Sequence, residues 1–175
     1  KNEGANILTE DKEPNFSNED GVVHIKTGAG EWGARLLNGL SQIDSDLIFY
    51  MQEDFWAIKD IELEDNFLEL FKNYKMDCLR ICANSELISL SHITNDLYKY
   101  NRHSPFSISH QFSLWNKEYF MSNVNSNESP WENEIYGSNR INENNHNIYH
   151  IDNYWYESVC MQGELQQTGH DILKN

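Results

Sequence analysis

The chain has 175 residues, 39% of them hydrophobic and 13% aromatic, and carries a net charge of −15 from 28 acidic and 13 basic side chains. That length and apolar content supply one domain with one core and exclude a largely disordered chain. The charge excludes general phosphate-backbone binding, so nucleic acid is not an expected partner, and it opposes docking on anionic lipid.

Three cysteines, Cys78, Cys82 and Cys160, are too few and too odd in number for a disulfide framework. Two of them sit in the apolar run DCLRICA, where buried thiols are ordinary. A reducing, cytoplasmic setting is therefore expected. The longest strongly apolar stretch runs from Leu47 to Met51. This is far below the roughly 20 residues of a spanning helix, so no transmembrane segment is expected.

Residues 5–9 (ANILT) and 22–26 (VVHIK) read as strands, with a polar loop between them. A glycine turn follows at 27–30. Trp32, Leu36, Leu37, Leu40 and Ile43 then recur at three- and four-residue steps, which predicts a helix over 31–43. Residues 47–51 (LIFYM) are continuously apolar and predict a strand covered on both faces. A second helix is expected with Leu63, Phe67, Leu70, Phe71 and Tyr74 on its buried side. Residues 77–83 predict another strand, and 86–93 with 97–100 a hairpin or short edge strands. The alternation in 107–115 (SISHQFSLW) predicts a strand, and 116–124 a helix. Ser129-Pro130 opens a further helix, with Pro in the first turn. Residues 148–151 and 155–162 read as the last strands, and 163–175 as a weak tail. The order predicts an α/β fold, a mixed and mainly parallel sheet flanked by helices, in a single domain over 1–175.

Four constellations carry candidate chemistry. Glu53 and Asp54 stand at the C-terminal end of the 47–51 strand, where open α/β sheets bind their ligands. Adjacent carboxylates call for a positive partner, and a Mg²⁺ or Mn²⁺ ion satisfies them. The same pair would also make an acidic turn capping the next element. In GAGEWGAR, a glycine turn opens a helix whose first backbone N–H groups and Arg35 suit a phosphate, with Trp32 as a candidate ligand stack. Trp32 equally fits the core. In SPWENE, Trp131 and Glu134 are three apart on one helix face. A Trp face suits a sugar ring, and a carboxylate beside it can take a hydroxyl proton. The plain alternative is a capped helix with acids in its first turn. His110, in SISHQFSLW, points at a cleft or is a core histidine. None of the seven histidines has zinc-like spacing to another ligand.

Taken in order, GEWGARLLNGL, DLIFYMQEDFW, FSISHQFSLW and SPWENEIYGSNR resemble the GT-A type glycosyltransferases of bacterial and viral polysaccharide biosynthesis, over about residues 5–165. The resemblance implies a GT-A-like (Rossmann-like) fold, a nucleotide-sugar donor, a glycan or glycolipid acceptor and a divalent cation. By position it assigns metal and diphosphate to Glu53 and Asp54, donor contacts to Arg35 and Trp32, and acceptor contacts to Trp131 and His110. The catalytic base falls on Glu134. The acidic motif here is Glu-Asp where the family has Asp-x-Asp, which leaves metal binding open. It also implies that a base-gripping strand and helix belong upstream of Lys1. An inverting, metal-assisted transfer is the expected reaction. A non-catalytic sugar- or nucleotide-binding module and a metal-dependent phosphoesterase are the alternatives.

Overall fold

The computed structural model describes residues 6–9, 23–52, 54–58, 65–81, 89–151, 156–161 and 164–174. The main sheet has six strands: β3 (Leu47–Tyr50), β5 (Cys78–Ile81), β6 (Leu90–Thr94), β7 (Leu97–Tyr100), β8 (Ser113–Asn116) and β9 (Ile148–Ile151). They lie in the order β3-β8-β5-β9-β7-β6. Three small pairs accompany it. These are β1 (Asn6–Thr9) with β2 (Val23–Lys26), β4 (Phe55–Ala57) with β10 (Tyr156–Ser158), and β11 (Cys160–Met161) with β12 (Glu164–Leu165). The helices are α1 (Trp32–Ser41), α2 (Asp65–Asn73), α3 (Lys117–Ser122), α4 (Pro130–Glu132), α5 (Ser138–Glu143) and α6 (Gln167–Ile172). A π turn, Asn133–Gly137, joins α4 to α5.

Alternation along the strands sorts the core into two faces. Leu79, Ile81, Leu114, Phe112, Tyr149 and Leu97 point one way and meet Phe67 and Phe71 of α2. Cys78, Trp115, Ile148 and Tyr100 point the other way and meet Leu36 and Leu40 of α1, Phe120 of α3 and Ile141 of α5. The spacing predicted from Trp32 to Ile43 and from Phe67 to Tyr74 is thus the packed side of each helix. β5 is buried along its whole length, as its apolar run requires of a central strand. Burying a side chain such as Leu79 contributes about 1.5–3 kcal/mol.

The α/β class and the mixed, helix-flanked sheet agree with the sequence. The pairing does not follow the mainly parallel pattern: β5–β9 is parallel, and the other four ladders of this sheet are antiparallel. The physical reason is a wedge. β3, β5, β9 and β6 all run the same way, but the reversed β8 lies between β3 and β5, and the reversed β7 between β9 and β6. Direction was readable; neighbours were not.

Three elements depart from expectation. Of the 107–115 segment only residues 113–115 are strand, as part of β8, and Ser107, Ile108, Ser109 and His110 are all buried where a strand would alternate. The segment is a loop pressed under a helix, not a sheet edge. Residues 167–172 form α6 in place of a weak tail, seated where Gly169 meets Leu165. β4 follows Asp54 directly and pairs with β10. Among the described residues no helix is long and apolar enough to cross a membrane.

Candidate functional site

Register builds the floor of the site. Tyr50 on β3 pairs with Ser113 on β8, Ser113 with Arg80 on β5, Arg80 with His150 on β9, and His150 with Tyr98 on β7. Residues in register share a face, so five polar or aromatic side chains cross the sheet in one row, at the C-terminal end of β3, β5 and β9. Ser113, Arg80 and His150 are fully buried. Buried polar groups of this kind are costly unless they are paired. Arg80 donates from Nη1 to the Tyr100 hydroxyl and to the Phe106 carbonyl (2.8 Å), and from Nη2 to Gln111 Oε1 (3.0 Å). Its guanidinium lies 5.3 Å from the Tyr100 ring centre. One arginine therefore ties the 104–111 loop down onto the sheet.

A helix clamps the same loop from above. Ile108 N donates to Ser138 Oγ (2.9 Å), Asn142 Nδ2 to the Ser104 carbonyl (2.9 Å), and His110 N to Glu134 Oε1 (2.8 Å). Ser129 caps this helix in a reciprocal capping box with Glu132. Of the two acids in WENE, Glu132 thus serves the helix end and Glu134 reaches the loop. The difference arises at the π turn. Its wider turn brings Asn133 and Glu134 together against the loop, and π turns of this kind favour functional positions. Asn133 is completely buried, and its Nδ2 donates to the Asn123 carbonyl (2.9 Å) and to Glu128 Oε2 (2.8 Å). Arg140 closes the group with a two-pronged contact to Glu128 (2.7 and 2.8 Å). The Arg140 guanidinium holds the Glu128 carboxyl below the ordinary range. Gly137 packs closely here: a β-carbon would come within 2.6 Å of Ile108 Cδ1, which would have to move aside.

His110 stands at the centre, 2% exposed. Trp32 meets it edge-on at 4.6 Å and Tyr50 at 5.6 Å between ring centres. The Asn133 side chain and the Pro130 carbonyl lie beside the ring, yet neither ring nitrogen makes a hydrogen bond of regular geometry. Burial lowers its pKa from 6.5 to about 4, so the imidazole is neutral at pH 7. It is a wall behind Trp32 and Tyr50, not a surface-facing contact.

Three of the residues singled out from sequence, Trp32, His110 and Glu134, therefore meet in one place. Trp131 stands on the same helix as Glu134 and is 65% exposed, with Ile135 and Tyr136 exposed near it. Arg35 is half-buried, one turn along α1 from Trp32. The expected phosphate cradle at the start of α1 is otherwise engaged. Gly33 N and Ala34 N donate to the carbonyls of Glu128 and Ser126, both at 3.0 Å. A β-carbon on Gly33 would fall 2.0 Å from the Asn125 carbonyl oxygen, so only glycine admits this loop.

Asp54 is half-buried in the turn after β3, and its carbonyl accepts from Val159 N (2.8 Å). Glu53 lies outside the described residues. A hard divalent cation needs several oxygen ligands. Among the described residues no three His, Cys, Asp or Glu side chains stand together as such a set. The described residues alone do not make a metal centre.

No family model matches this chain, and no curated protein does. Two solved structures align with it, UDP-glucose pyrophosphorylase complexed with UDP-glucose and the apo form of UDP-glucose pyrophosphorylase. Each is 10% identical over 75% of this chain, with TM-scores of 0.47 and 0.46. The chain spans 57% and 55% of those structures, somewhat more than half of either.

Sequence reasoning passed over Arg80, Asn133 and the Glu128–Arg140 pair. Arg80 carried a signal: it is the one charge inside the strand CLRI. Asn133 carried none, since its burial depends on the π turn.

Proposed function

We propose that this chain is a glycosyltransferase that moves a sugar from a nucleotide-sugar donor to a glycan acceptor. The observation that supports it most is the placement of Glu134. The π turn holds this carboxylate on the amide of His110, whose ring meets Trp32, with an exposed Trp131 one turn away. Trp131 offers the acceptor sugar an apolar face. Glu134, with one oxygen steadied by the His110 amide, takes the proton of the acceptor hydroxyl. That oxygen attacks the anomeric carbon from the side opposite the leaving group. The bond from carbon to the nucleoside diphosphate breaks, and its electron pair leaves with the diphosphate, inverting the centre.

Trp32, Arg35, Asp54 and Glu53 are proposed on the donor side, with Arg35 facing the charge that develops on the leaving group. Mn²⁺ or Mg²⁺ enters only as an ion that the donor's own phosphates would bring to Asp54 and Glu53, and no step depends on it. The sparse, odd set of three cysteines supports a reducing, cytoplasmic setting. A second reading, a sugar- or nucleotide-binding module without turnover, is favoured by Glu53-Asp54 standing in place of Asp-x-Asp.

Incubation with a panel of nucleotide sugars and simple glycan acceptors separates the two readings. Release of nucleoside diphosphate that requires acceptor, and is lost in Glu134→Gln, supports transfer. Binding of a donor with no release under any acceptor leaves the module. Release that persists in Glu134→Gln removes that residue from the reaction.

A further inference from the structure

At the other end of the sheet lies a feature that the proposed reaction does not use. Tyr100 ends β7, Asn147 precedes β9, and Asp77 precedes β5, so this is the edge remote from Tyr50 and Ile81. A surface hollow of about 410 Å³ opens here, lined by Lys99, Tyr100, Arg102, Asn144, Asn145, His146 and Asn147. The whole chain has 13 lysines and arginines against 28 acids, yet two of those cations and one histidine line this single hollow.

The lining is built, not incidental. Lys99 is fixed by a hydrogen bond from Nζ to Asn147 Oδ1 (3.0 Å) and lies 5.4 Å from the Tyr149 ring centre. Arg102 is exposed and makes no hydrogen bond or ion pair with any described residue. His146 is 7% exposed, and both of its ring nitrogens lack a hydrogen-bond partner among the described residues. A buried imidazole with two unmet nitrogens calls for a ligand. The carboxylate that reaches this histidine electrostatically is Asp77, whose Oδ2 already accepts from Asn147 N (2.8 Å). His103 adds a further positive influence, in a turn where its φ is +66°. Burial first, then Lys99, Arg102 and His103, outweigh Asp77 and hold His146 below the ordinary histidine range. It therefore meets a ligand as a neutral donor.

We infer that this hollow is a second binding site, for a phosphate group, formed by Lys99, Arg102 and His146. A tetrahedral oxyanion suits donors that approach from two chain segments, 99–102 and 144–147. The guanidinium fork takes two oxygens and the ammonium acts as a point charge. A planar carboxylate could meet only part of this set. Free phosphate and the phosphate of a sugar ester share this chemistry.

The test is a titration of the chain with inorganic phosphate and, in parallel, a sugar monophosphate, followed by amide NMR shifts. Saturable shifts confined to residues 99–103 and 144–147 are expected, weakened about ten-fold in Arg102→Ala. Arg102 is exposed, so this variant keeps its fold. His146→Gln supplies a second, independent loss. Tighter binding of the ester assigns the site to a phosphorylated substrate, and equal binding to free phosphate; either supports it. Shifts elsewhere in the chain, no saturation, or equal affinity in Arg102→Ala would overturn the site.

Discussion

The two faces of the six-stranded sheet are built to different ends. Under α2, the side chains of Leu79, Ile81, Leu114, Phe112 and Tyr149 make a continuous apolar layer. Under α1, α3 and α5 the layer is apolar only at one end. At the other it gives way to Tyr50, Ser113, Arg80, His150, His110 and Asn133. An apolar layer gains stability from area alone. A buried polar layer gains little, because each hydrogen bond replaces one to water and each unmet group costs. Its presence on one face only sets the proposed site apart from the rest of the core.

Four changes sharpen or break that contrast. Glu134→Gln should lower turnover by about 10²–10⁴-fold, the usual size of a general-base contribution. The Gln carbonyl can still accept from His110 N, so the melting temperature should barely move. A large drop in melting temperature alongside lost turnover would make Glu134 a structural residue. On the opposite face, Leu79→Ala should cost about 2–5 kcal/mol in urea titration, because the fully buried side chain leaves a cavity. A cost below about 1 kcal/mol would show that the α2 face is not packed as described.

Gly33→Ala should cost about 1–3 kcal/mol by driving α1 away from the 125–128 loop. Unchanged stability would mean that the loop can retreat freely. The smallest expected effect concerns pH. His110 has its pKa lowered in the folded chain, so the unfolded chain binds more protons and stability falls as pH drops from 6.5 toward about 4. Glu128 is also lowered, so its contribution is present above the ordinary glutamate range and fades as pH falls through the folded value. His110→Phe should reduce the upper slope, leave the part that His146, also lowered, contributes there, and leave the lower window. An unchanged slope below pH 6.5 in that variant would show that His110 does not carry it.

Local pattern carried much of this architecture. The stripe on α1, the apolar runs of β3 and β5 and the β6–β7 hairpin were all legible, because short-range periodicity reports which side is buried. The insertion of β8 between β3 and β5 was not, since it is decided by partners far apart in the chain. The 107–112 segment misled because its serines alternate with larger residues, yet Ser107 and Ile108 are both met by the helix that supplies Asn142 and Ser138. At the site, Trp32, His110 and Glu134 could be picked as residue types. Their meeting depends on the π turn, and nothing in NEIYG announces an extra residue per turn. Arg80 was hidden in plain view, counted as one more residue of an apolar strand.

The parallel β5–β9 pair has a consequence for how the molecule comes into being. β9 lies between β5 and β7, but it follows both by a long stretch of chain. As the polypeptide emerges during synthesis, β5 and β7 each wait with one bare edge until residues 148–151 arrive. Exposed edges of that kind pair readily with other chains. Closing a contact so distant in sequence is also slow, because the ordering is completed before the reward is collected. The central strand of the finished sheet is thus its last to be seated, and the half-made sheet is the form of this protein most in need of a chaperone.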